Sequence, residues 1–207
     1  MQLASKPLQI IRANLRAYLT INAVVYSLFV AGFVAALIFP ALGATRAATL
    51  EGDGTNELVR SLVSNPWLFA LTILGVNVIK TATLFIVLPS LIVPFSGVAL
   101  FAYQAFSLGL GLAPTSDIVA VGLIPHSLTA LIEFQAYALL MFGAYVLGRS
   151  WVLPATMGAR NHRQGYVHGL QQLGWLSLPA FALFVVGAIW EAFSIRYLIH
   201  PLSQWLL

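Results

Sequence analysis

The chain of 207 residues has no cysteine, which excludes disulfides, thiolate metal sites and a cysteine nucleophile. Charge is nearly as scarce. Only 8% of residues are Asp, Glu, Lys or Arg, where a soluble domain carries about 25%. No Gly-x-x-x-x-Gly-Lys-Ser/Thr loop is present, so the chain has no ATP motif of its own. No Gly-x-Ser-x-Gly elbow, His-Glu-x-x-His pair or paired catalytic Asp occurs either. Nucleic acid is excluded as a partner, because nine of the ten basic residues sit at segment ends instead of forming a surface.

What is present is apolar: 60% of residues are hydrophobic and the mean hydropathy is +0.91. These values predict an all-α, polytopic transmembrane helical bundle in which the lipid bilayer is the first partner. Apolar runs place spans at about 17–40, 66–93, 96–112, 119–148 and 174–199. The count is five, or six if the second run splits into a re-entrant piece and a crossing piece. Pro89 and Pro94 interrupt that run, and Asn65 with Pro66 reads as its N-cap and first helical position. The first run exceeds the roughly 7–15 residues of a signal-peptide core, so it reads as a retained span.

Lys and Arg set the orientation. Lys6, Arg12, Arg16, Arg149, Arg160 and Arg163 fall on one side with no acid. Arg46, Arg60 and Arg196 share the other with Glu51, Asp53, Glu57 and Asp117. The positive-inside rule makes the first side, and the N-terminus, cytoplasmic. Residues 1–16 form a basic amphipathic segment on that surface, and the chain is one transmembrane domain over 1–207.

Four ionisable side chains fall inside spans: Lys80, His126, Glu133 and Glu191. His126 and Glu133 are seven residues apart in "LIPHSLTALIEFQAYALLMFGAYVLGRSW", two turns along one helical face. A charge at the bilayer centre costs about 2.5–3.5 kcal/mol or more, so such residues find partners. Depth matches Lys80 with Glu133, each ~21 Å in from the outer end, and His126 with Glu191 nearer the outside. Three readings follow: buried pairs that fix helix register, a polar path or ligand site, or an intramembrane metal-dependent hydrolase built on His126 and the two glutamates. Other features are packing features. Gly109 and Gly111 in "SLGLGL", Gly148 four residues after Ala144, and Ala188 with Ala192 suit close helix approach, and Pro125 suits a kink. "HRQGYVHG", residues 162–169, reads as a solvated connection between spans four and five.

The segment "LIPHSLTALIEFQAYALLMFGAYVLG" resembles the Pro-His, Glu-x-x-Ala and paired-glycine pattern of the stage II sporulation protein M family. Here the Glu follows the His by two turns, where the family has about one. "GAIWEAFSIRYLIHP" is similar to the family's last helix, and "LGVNVIKTATLF" and "YQAFSLGLGL" resemble its second and third segments. The resemblance spans most of residues 65–201 and singles out Pro125, His126, Glu133 and Glu191. It implies a five- or six-helix multi-pass protein of the bacterial or archaeal cytoplasmic membrane with no established enzymatic activity, and no cofactor is expected. The family's named member works in a complex with peptidoglycan-degrading proteins during spore engulfment, and others accompany circular bacteriocin clusters. The function expected on this basis is a membrane scaffold or accessory subunit, homo-oligomeric or joined to other membrane proteins. A transporter or channel component is the alternative.

Overall fold

A computed structural model describes residues 2–52, 61–114 and 116–207. Asp53, Glu57 and Arg60 lie outside the described residues, and so does most of the acidic stretch read as extracytoplasmic. Helix is the regular structure of all described segments, with no strand among them. The protein is an all-α bundle of a multi-pass membrane protein, with four helices among the described residues long and apolar enough to cross a bilayer.

Helix α1 spans Gln2–Ala13 and α2 spans Leu15–Ile38. The first span therefore stops before Pro40. Phe39, just ahead of the proline, is driven out of the helical region (φ −121°, ψ 79°), and Pro40 opens a new helix, α3, Pro40–Gly52. Helix α4 runs unbroken over Pro66–Ile92, so the second apolar run is one helical rod. Asn65 caps it, its side chain accepting from the Leu68 amide at 3.2 Å, with Pro66 in the first turn.

The middle of α4, Val76–Val87, is wound as a π-helix. The Thr83 hydroxyl donates to the Val78 carbonyl, five residues back, at 2.7 Å, and the Leu88 amide reaches Thr83 in the same register. Pro89 follows where the π ladder ends; with no N–H it could extend neither ladder. Val93–Phe95 turns the chain, with Phe95 at φ 64°, into α5, Ser96–Leu112. At 17 residues, α5 is ~26 Å long, short of the ~30 Å apolar core, so it falls outside the four long helices.

Two helices of 36 residues complete the bundle: α6, Asp117–Val152, and α7, His162–Tyr197. They form an antiparallel hairpin closed by the 3-10 turn Pro154–Met157 and Gly158. Helix α6 is the axis of the fold, with 67% of its apolar window buried against 17–33% for the other long helices. Helix α7 begins twelve residues before the expected span, so "HRQGYVHG" is its first two turns and not a solvated loop. Asn161 caps it, accepting from the Gln164 amide at 2.9 Å. The glycines in that stretch serve contact: a Cβ on Gly165 would lie 2.0 Å from the Ser150 carbonyl oxygen. A short final helix, α8, covers Ile199–Leu206.

The expected packing glycines divide. A Cβ on Gly109 would fall 2.1 Å from the Phe29 carbonyl, and Gly32 meets Phe106 the same way, so α2 and α5 touch backbone to backbone. Gly148 leaves room for the Phe95 ring, 2.8 Å from where its Cβ would stand. Gly111 is exposed.

Candidate functional site

From the first third of α6 toward its middle, His126, Thr129, Glu133 and Tyr137 follow at steps of three, four and four residues, which is one helical face. Each meets a different environment. His126 Nδ1 lies 3.3 Å from Glu191 Oε1 on α7, with side chains 27% and 16% exposed. This is the pair that matched depth selects. Glu133 rests against Gly187 of α7, where a Cβ would stand 2.9 Å from its Cγ. The glycine makes room for a carboxylate between two helices.

Glu133 is not paired with Lys80. Its Oε1 accepts from Asn77 Nδ2 on the π-wound part of α4, and Asn77 Oδ1 in turn accepts from the Tyr137 hydroxyl at 2.9 Å. Depth alone pairs Lys80 with Glu133, but rotation decides the partner. The buried positions of the π segment are Asn77, Thr81, Ala82 and Ile86, four- and five-residue steps that follow the wider π turn. An α-helix would bring the position three after Asn77 back toward its face; the π winding carries Lys80 away, and Lys80 is exposed. Asn77 and Tyr137 lie outside the set of Lys, His and Glu side chains that stand out inside the spans. An amide in a span and a tyrosine one turn beyond Glu133 are the signals that find them.

Pro125 and Trp190 shape the outer end. Trp190 Nε1 donates to the Pro125 carbonyl at 3.0 Å. That carbonyl lies four residues before Thr129, where a helical Thr hydroxyl usually back-bonds. Thr129 is fully buried and its Oγ1 has no partner. An open cleft of about 400 Å³ between α2, α5 and α6 reaches His126 from the side; its other walls, such as Phe29, Phe33 and Leu123, are mostly apolar.

The polar line ends at Tyr137. Phe101 and Phe184 press on that ring at centroid distances of 4.6 and 4.8 Å, both essentially inaccessible. The same face of α6 continues as Leu140, Ala144 and Leu147, all buried. Gly143 and Gly169 bring α7 too close for any channel, with Leu173 and Leu147 where their Cβ atoms would be. Among the described residues, no three His, Asp or Glu side chains come together as a metal set.

No family model matches this chain, and no curated protein and no solved structure matches it.

Proposed function

We propose that this chain is a non-catalytic scaffold or accessory subunit of a multiprotein complex in a bacterial or archaeal cytoplasmic membrane. The resemblance described above supports a role for such a complex in cell-envelope remodelling or in peptide maturation or export. One observation carries the non-conducting part of the reading: the polar face of α6 stops at mid-bundle on an aromatic floor. A conduit needs polar groups or water through the whole apolar thickness. Here Glu133, Asn77 and Tyr137 satisfy one another, His126 meets Glu191, and the remaining half of the face is closed by Leu140, Ala144 and Leu147. Satisfied polar groups between helices fix register, which a scaffold needs.

The bundle also keeps apolar surface for neighbours. On α4, Trp67, Leu71, Ile79 and Ile92 are 62–74% exposed, available to lipid, to another copy or to other membrane proteins. A transporter component is the second reading, favoured by Thr129, whose buried hydroxyl lies on the polar face with no partner. The two separate in one experiment on the purified full chain. It is reconstituted in vesicles carrying a proton or monovalent-cation gradient, and its co-purifying proteins are compared between wild type, His126→Asn and Glu191→Gln. A scaffold gives no flux above empty vesicles and an unchanged set of partners in both variants. Flux that both substitutions abolish in a folded protein would overturn the proposal in favour of transport.

A further inference from the structure

Three arginines converge at the junction of α1 and α2. Arg12, Arg16 and Arg149 line a cleft of about 660 Å³ together with Asn14, Tyr145 and the apolar Ile21, and among the described residues no carboxylate lines it. Three cationic side chains lining one cleft without an acid give it an excess of positive charge, which favours an anion there.

The local backbone adds to this field. Asn14 stands at the N-cap of α2, but its side chain does not cap that helix. Its Nδ2 instead donates to the Ile10 carbonyl at 3.1 Å, closing the end of α1, and its Oδ1 accepts from Arg149 Nη1 at 3.3 Å. The residue best suited to satisfy the first turn of α2 is therefore committed elsewhere. Leu15, Arg16 and Ala17, the residues of that turn, line the cleft. A helix start without its cap presents N–H groups and the positive end of the dipole to whatever occupies the space.

We propose that this cleft binds a phosphate group, and that its source is the headgroup of an anionic phospholipid. Arginine suits phosphate because its planar fork bonds two oxygens at once. Lipid is favoured over the free ion by the cleft's lower wall. There Ala17 and Ile21 continue down α2 into the apolar span, so a phosphate held by the arginines has its acyl chains beside apolar side chains. The site is independent of the polar face of α6, and it stands whether the chain is a scaffold or a transporter.

The test measures lipid retained by the full chain in mild detergent, by native mass spectrometry, with phosphatidylglycerol and phosphatidylcholine as probes. Wild type is expected to prefer phosphatidylglycerol, and each arginine removed should weaken that preference by about tenfold, the scale of one charge-assisted hydrogen bond. Arg12→Gln with Arg16→Gln changes two exposed side chains and so leaves the packing intact; Arg149→Gln adds the third. Arg160→Gln with Arg163→Gln removes two basic residues that do not line the cleft, and this control should keep the preference. Excess inorganic phosphate identifies the source. Displacement of the lipid points to the free ion at the same site, and resistance to displacement points to the headgroup. No preference in wild type, or an equal loss in the control, would overturn the proposal.

Discussion

The two halves of the α6–α7 hairpin are held together by different physics. Toward the 154–157 turn the helices meet through missing side chains: Gly165 and Gly169 press their backbones onto Ser150 and Leu147, and Gly143 accepts Leu173. Toward the other end they meet through polar bonds, with His126 on Glu191 and Trp190 on the Pro125 carbonyl. Steric contact of the first kind has one solution and tolerates nothing larger. Hydrogen bonds of the second kind can exchange partners, admit water and respond to a ligand. The glycine half is therefore the anchor of the fold, and any adjustment the protein makes belongs to the polar half.

The largest expected effect comes from adding one methyl group to the anchor. In Gly165→Ala the new Cβ would stand 2.0 Å from a backbone oxygen, which no side-chain rotation can relieve. Overpacking costs about 1–3 kcal/mol and more where backbone must move, so about 3 kcal/mol is expected here. Gly174→Ala is the control on the same helix, since nothing lies within 4 Å of its would-be Cβ. Equal unfolding midpoints for the two variants in a denaturant titration would remove the distinction between the halves.

An intermediate effect comes from the middle of the hairpin. Asn77→Leu and Glu133→Gln each break or weaken one network, so the double mutant should lose less than the sum of the singles. Coupling of roughly 0.6–1.7 kcal/mol is the range for hydrogen bonds between membrane helices. Lys80→Met with Glu133→Gln should instead add within about 0.5 kcal/mol, because the two side chains do not pair. Coupling in the lysine cycle and additivity in the asparagine cycle would reverse the assignment of Glu133's partner.

A milder effect is expected at the outer end. His126→Asn and Glu191→Gln keep polar atoms that can hydrogen-bond, so each should change stability by less than about 1 kcal/mol. Glu191→Leu should cost more, because His126 then loses its partner. If Glu191→Leu proves as mild as Glu191→Gln, the outer contact holds nothing in place.

Much of this was legible in residue order because it depends on quantities that sequence carries directly. Apolar runs gave the spans, and the Asn65–Pro66 start of α4 follows from capping chemistry. Depth along each span brought His126 to Glu191. Rotation about a helix axis was less accessible. Residue counting puts Lys80 level with Glu133, yet periodicity assumes α winding, and the π segment turns Asn77 inward in its place. Polar composition misled at residues 162–169, where Gly165 and Gly169 are contact surfaces inside a helix and not loop glycines. The arginine cleft depends on where α1, α2 and the end of α6 converge, which no local pattern encodes.

The last expected effect has the opposite sign and bears on what fills the polar half. Thr129 is fully buried, its hydroxyl has no partner, and the carbonyl it would use is taken by Trp190. A buried hydroxyl without a hydrogen bond costs about 1–3 kcal/mol. If the space beside it is empty, Thr129→Val keeps the shape, removes that cost and should stabilise the protein by about 1 kcal/mol. Trp190→Phe frees the Pro125 carbonyl for the Thr129 hydroxyl to back-bond, so in that background the benefit of Thr129→Val should vanish. The two substitutions therefore form a cycle whose sign reads the occupancy of the site. Stabilisation by Thr129→Val that disappears with Trp190→Phe describes a dry lock with one unsatisfied group. Destabilisation by Thr129→Val places a water or a ligand on that hydroxyl, and makes the polar half a binding site between His126 and Glu133.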